Sequence, residues 1–149
     1  MKLKGRNLLI ILIILTGCNN NYVTCKIDIE NSSMEYKFHA EYKIYYKSKY
    51  VTKIVKNERY TTDNKETHKY LKEAKELEYS MLKSTYGGYD YDVDTTRTGV
   101  KIEATVDVKK LDVEKLVSDK IIDKYYTSKE EILLSGLKKH YESKSAICK

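Results

Sequence analysis

The chain has no proline, no tryptophan and a single phenylalanine in 149 residues, so its aromatic bulk rests on 15 tyrosines. Tyrosine buries a ring while its hydroxyl keeps water or a polar partner, which suits the margin of a small core; a tyrosine-rich binding platform is the alternative. Long hydrophobic runs are also missing. The longest, residues 8–15, falls well short of the about 20 apolar residues a membrane-spanning helix requires. No Gly-x-Ser-x-Gly elbow, glycine-rich phosphate loop or dinucleotide fingerprint occurs. Cys-x-x-Cys is absent, which argues against a redox pair. His39, His68 and His140 stand far apart, without paired metal-ligand spacing, and read as ordinary surface or helix histidines. The 22 acidic residues are scattered and single out no acid–base pair. No catalytic, cofactor-binding or metal-binding residue can be nominated, and an enzyme is not the expectation.

What is present begins with Lys2, Lys4 and Arg6, followed by the aliphatic run and Leu15-Thr16-Gly17-Cys18. A basic segment, a short apolar segment and small residues before a cleavage point are the parts of a secretory signal. The cysteine after them resembles the bacterial lipobox, in which the thiol takes a diacylglycerol and becomes the first mature residue. Residues 1–17 are therefore expected to be a lipoprotein signal peptide, residues 18–21 a short tether, and residues 22–149 one domain held to the lipid bilayer through acylated Cys18. A plain secretory signal with an incidental cysteine is the alternative. Removing the three basic residues of the leader lowers the formal charge from +6 to +3. Lysine and glutamate alternate along the remainder, as on a solvated mixed surface, so no nucleic acid partner is expected.

Cys25 and Cys148 remain, at the two extremes of the mature chain. Export permits a disulfide, and an even remainder invites one; two free buried cysteines are the alternative. Between them, alternation of period two marks strands at residues 22–30, with Val23, Cys25, Ile27 and Ile29 on one side, and at residues 36–46. A turn at Asn31-Ser32-Ser33 separates the two. Lys47-Ser48-Lys49 reverses the chain into a third β-prone run at residues 50–61, containing Val51, Ile54, Val55 and Tyr60. Asp63 with Glu66 has the spacing of a capping box, and Tyr70, Leu71, Ala74, Leu77, Met81 and Leu82 predict one apolar helical stripe. Gly87-Gly88 ends that helix. Two more strands flank a turn at Arg97-Thr98-Gly99, the second with Val100, Ile102, Ala104, Val106 and Val108 on one side. Asp112 caps a short helix over 113–117, and Ser128 with Glu131 opens a last helix carrying Ile132, Leu133, Leu137 and Tyr141. The order predicts an α+β domain: an antiparallel, meandering β-sheet of about five strands, with one long and one C-terminal helix packed on one face.

Asp90, Asp92 and Asp94 invite a calcium site. The EF-hand pattern fails, because Thr95 takes the glycine position and Lys101 the bidentate glutamate position. On a strand the three carboxylates would stand about 6.5 to 7 Å apart along a wet face, so no metal is assigned to them.

Lipobox, hairpin around YKSKYVTKIVK, YGGYDYDVDTT, VKIEATVDVKKLDVEKL and the terminal Ala146-Ile147-Cys148-Lys149 together resemble the YehR-like bacterial lipoproteins. The resemblance implies an extracytoplasmic α+β domain on a lipid tether, and makes Cys25 and Cys148 similar to the end-to-end cysteine pair of part of that family. It carries over no active-site residue. The expected function is that of a non-enzymatic envelope lipoprotein at the outer face of the cell membrane. It would bind a ligand or protein partner through a sheet edge, exposed tyrosines such as Tyr45 or a helix–sheet margin. A cell-envelope hydrolase or modifying enzyme is the alternative, and a structural or inhibitory partner protein a third reading. A deep pocket with converging carboxylate or histidine side chains would favour the enzyme.

Overall fold

Strands with one apolar and one charged side pair into a sheet with one dry and one wet face. In a computed structural model, which describes residues 21–31, 33 and 36–149, this happens three times in succession. β1 (Tyr22–Asn31), β2 (Tyr36–Lys47) and β3 (Tyr50–Thr61) form an antiparallel meander. The signal peptide, Cys18 and Ser32 of the expected turn lie outside the described residues. Ser48, at φ 57°, closes the β2–β3 turn. The register shifts between Tyr45 and Tyr46, which pair with Lys53 and Val51, so β3 carries an extra residue there. That bulge explains why its first two inward residues, Val51 and Ile54, are three positions apart.

α1 (Lys65–Tyr86) then carries the chain across the sheet, and β4 (Tyr89–Thr96) and β5 (Gly99–Asp107) complete its far side. The strand order is β4-β5-β3-β2-β1-β8, with every neighbouring pair antiparallel. The meander thus breaks once: β5, not β4, lies beside β3. The sheet has six strands rather than five because β8 (Ile147–Cys148) pairs with β1. A period-two pattern cannot be read in two residues. The α+β class stands.

Three helix expectations change in detail. The cap of α1 is Asn64, not Asp63: its side chain accepts the amides of Glu66 at 2.9 Å and Thr67 at 3.1 Å. The strand path persists through Thr62, whose N–H donates to Thr98, and Thr62 Oγ1 in turn accepts the amide of Asn64, shifting the helix start by one residue. The predicted stripe on α1 is also rotated. Tyr70, Leu77 and Met81 are 61%, 62% and 58% exposed, while Leu71, Tyr79 and Tyr86 are buried. At about 100° per residue the inward face is Leu71, Lys75, Tyr79, Leu82 and Tyr86, with the exposed Glu78 at its edge; the two charged residues hid it from a hydrophobicity pattern. The last helix, α3 (Leu134–Glu142), starts six residues after Ser128. Residues 127–132 fold back as β6 (Thr127–Ser128) and β7 (Glu131–Ile132), with Lys129 and Glu130 at φ 51° and 63°, as a two-residue hairpin demands. α2 (Val113–Ser118) is capped by Asp112 as expected.

Helices lie on one face, over the inward residues Ile27, Tyr42, Ile44, Ile54 and Val106. Exposed ion pairs such as Lys26–Glu41 and Lys101–Glu103 lie on the sheet away from that core, where each contributes about 0 to 1 kcal/mol. No helix among the described residues is long and apolar enough to cross a membrane.

Gly99 starts β5 where that strand approaches β3 most closely: a Cβ there would lie 1.8 Å from the Tyr60 carbonyl oxygen. Gly99→Ala is expected to cost about 3 kcal/mol in urea unfolding, because relief requires a backbone shift rather than a rotamer change. A loss below about 0.5 kcal/mol would contradict this close approach.

Candidate functional site

Continuing the inward parity of β3 past Ile54 brings Lys56 and Glu58, then Tyr60, onto the core face. Two charged residues therefore stand where an ordinary strand would carry valine or isoleucine. Their neighbours across the ladder are small. Ala40 lies opposite Glu58 on β2, and Ala104 lies opposite Lys56 on β5; both alanines are buried. The floor of the sheet is consequently recessed at its middle.

The helices straddle this recess. α1 packs along β4 and β5, and α3 along β8 and the turn at residues 124–126. Between them is a cleft of about 460 Å³, floored by Tyr42, Ile54, Lys56, Glu58 and Tyr60 and walled by α1, α3, Leu116 of α2 and Ile122 of the segment after it. Lys75, Glu78, His140 and Lys144 reach it from the helical side.

Glu58 is only 6% exposed. It accepts a hydrogen bond from the Tyr42 hydroxyl at 3.0 Å and a second from Tyr79. Burial, reinforced by the Glu58 charge, holds the hydroxyls of Tyr42, Tyr79 and Tyr141 far above the ordinary tyrosine value, and the same causes push Tyr60 up to about 12. Tyr141 stacks on Tyr42 with centroids 4.6 Å apart, fixing α3 to the sheet. The Lys56 ammonium lies 5.6 Å and 5.7 Å from the ring centroids of Tyr42 and Tyr79, within cation–π range. Lys75 bonds Glu78 at 2.5 Å and also Tyr60; against the pull of burial, these bonds keep its pKa above the usual lysine range. On the other wall, burial first and then the charges of Lys144 and Lys56 lower the pKa of His140. Burial and Lys56 lower that of Lys144 as well.

Sequence reasoning nominated none of these residues. The available signal was parity: with the bulge placed before Ile54, Lys56 and Glu58 fall on the inward phase. His140, read as an ordinary helix histidine, lines the cleft, whereas His39 bonds Asp28 at 2.6 Å on the exposed side.

The residues that the sequence did single out lie elsewhere. Asp90, Asp92 and Asp94 occupy exposed positions of β4, Asp90 beside Lys83 at 3.6 Å and Asp94 paired in register with Lys101. Among the described residues no group of three His, Cys, Asp or Glu is placed to hold a metal ion. Tyr45 is half-buried beneath Lys53 and beside Tyr22. A disulfide joins Cys25 to Cys148, and Cys18 lies outside the described residues. A second groove, of about 670 Å³, runs between the β2–β3 turn, residues 108–114 and the 129–131 turn. Its buried lining is valine and its charges are all exposed, so no held polar group marks it as a site.

No protein-family model and no curated protein matches the chain. Two solved structures are similar to it. The NMR structure of the E. coli YehR protein has a TM-score of 0.54 at 16% identity, covering 87% of this chain and 92% of that one. The NMR structure of a protein from Streptococcus pneumoniae TIGR4 has a TM-score of 0.50 at 18% identity, covering 100% of this chain and 98% of that one. At such identities the likeness is one of architecture, and what it establishes is that this chain has a YehR-like fold.

Proposed function

We propose that the protein is a lipid-anchored extracytoplasmic binding module whose ligand enters the cleft between α1 and α3. One observation carries this reading: Lys56 and Glu58 face inward on the core side of the sheet beneath a cleft of about 460 Å³. Taking charged groups out of water costs several kcal/mol each unless partners offset it, and apolar residues would fill these positions at no such cost. A concave, mostly apolar site with a few convergent polar groups is the form small-ligand sites take.

A buried carboxylate also supports the second reading, an envelope hydrolase or modifying enzyme. Two hydroxyl donors already engage Glu58, and the hydroxyls of Tyr42 and Tyr79 are held protonated. Groups locked in one protonation state are poorly suited to proton transfer near neutral pH, so the site favours holding a ligand over turning one over.

The address rests on the leader and on Cys18. Three asparagines separate that cysteine from β1, a reach of at most about 14 Å, so the domain would sit close against the bilayer surface. Cys18→Ser is expected to abolish incorporation of a labelled fatty acid and to move the protein out of the membrane fraction. Unchanged labelling and fractionation would refute the tether. For the cleft, protein extracted from its own membranes under mild conditions should release a near-stoichiometric small molecule on denaturation. Ile121→Trp, which adds bulk at a half-exposed residue of the cleft wall, should retain less than half as much. Equal retention by the two would overturn the cleft as the binding site.

A further inference from the structure

The charges in the cleft do not cancel locally. Glu58 is held by two tyrosine hydroxyls and Glu78 by Lys75. Lys56 and Lys144 have no carboxylate in ion-pair range among the described residues. They approach from opposite sides, Lys56 from the floor on β3 and Lys144 from the turn after α3, where its amide donates to the Tyr141 carbonyl. His140 stands on the same wall. Each is close enough to Lys56 for the repulsion to register in its proton affinity, alongside burial. The cleft therefore holds two ammonium groups outside any ion pair, Lys56 half-buried on the floor and Lys144 exposed at the rim, where the charge of Glu78 reaches it although that carboxylate is already bonded to Lys75; below them lies apolar surface from Ile54, Leu116, Ile122 and Tyr141.

Resting on the binding reading above, we propose that the cleft takes a small amphipathic anion, with a carboxylate or phosphate head between Lys56 and Lys144 and an apolar body against the aliphatic and tyrosine walls. A sugar or nucleotide phosphate fits less well, because Tyr42, Glu58, Lys75 and Glu78 already bond one another and the other walls are largely aliphatic. The volume lies within the range of about 300 to 1,000 Å³ typical of small-ligand pockets.

The test uses four probes on one skeleton: 4-phenylbutyrate, 3-phenylpropyl phosphate, 4-phenylbutanol and 4-phenylbutylamine. Each is titrated calorimetrically into the full chain in nanodiscs, with empty nanodiscs as the blank. At least one of the two anions should bind about tenfold tighter than the alcohol and the amine, the difference a charge-assisted hydrogen bond makes. Lys56→Gln and Lys144→Gln should each bring that anion to within about twofold of the alcohol, while Lys109→Gln, outside the cleft, should change nothing. Which anion binds better separates a carboxylate from a phosphate source. If the alcohol matches both anions, or the amine exceeds them, the anion assignment fails and the binding reading survives. If none of the four binds, the amphipathic-anion assignment fails, and the binding reading falls with it only where the extracted protein also releases no small molecule on denaturation.

Discussion

Breaking the Cys25–Cys148 disulfide, by reduction or by Cys148→Ala, is expected to lower the unfolding free energy by about 4 to 5 kcal/mol. The bridge spans a sequence separation of 123 residues, and on chain entropy alone a loop of that length is worth close to 5 kcal/mol. Little else holds β8. It offers two register pairs to β1, Cys25↔Cys148 and Lys26↔Ile147, and the reciprocal backbone bonds of Thr24 and Lys149 at 2.8 Å and 2.9 Å. A domain of this size has a total stability of about 5 to 15 kcal/mol, so the reduced protein would be marginal. The effect should be spatially graded. β8 packs against α3, whose Tyr141 forms part of the cleft, so the amides of α3 should lose hydrogen-exchange protection before those of β5. Urea unfolding with and without reductant measures the free-energy loss, and a difference below about 1 kcal/mol would show that β8 is held by its ladder alone. Such a bridge persists only in an oxidising compartment, which supports the proposed export.

Most of the architecture was legible because each strand declares its sides. In β2, Ala40, Tyr42 and Ile44 face in while Lys37 and His39 face out, and β5 behaves alike from Val100 to Val106. Parity fails where the chain departs from it. The extra residue at the start of β3 mixed Val51 and Ile54 with the outward Val55 in the sequence reading, and this concealed the inward phase of Lys56 and Glu58. On α1 a search for aliphatic side chains selected Leu77 and Met81 and passed over Tyr79, which is 1% exposed and donates to Glu58. Both errors have one cause. The site is made of charged and hydroxyl-bearing residues turned toward the core, the arrangement hydrophobic patterning is least able to see. The long-range pairing of the two ends was legible for another reason, since cysteine is scarce and the count after Cys18 is even.

Above pH 10 the fold should lose stability steeply, by about 5 kcal/mol per pH unit if four tyrosines act together. Tyr42, Tyr79, Tyr141 and Tyr60 all ionise at higher pH in the folded chain than in the unfolded one, with burial as the leading cause. Once the pH passes the unfolded value near 10, the unfolded chain releases those protons and the native chain cannot, so each further unit favours unfolding. Below that value the two states bind the same protons and the term vanishes. Lys75 adds to the trend, since its raised pKa likewise keeps the native proton on while the unfolded chain sheds it. Tyrosinate absorbance followed together with far-ultraviolet circular dichroism is the direct measurement. The buried set should ionise together with the loss of structure, so that their tyrosinate absorbance and the circular dichroism change at the same pH. Gradual ionisation of all 15 tyrosines without unfolding would mean that water reaches the Glu58 cluster. Glu58→Gln separates the two causes, because it removes the charge and leaves the burial. Part of the delayed absorbance should then move back toward pH 10, while the share due to desolvation stays with unfolding.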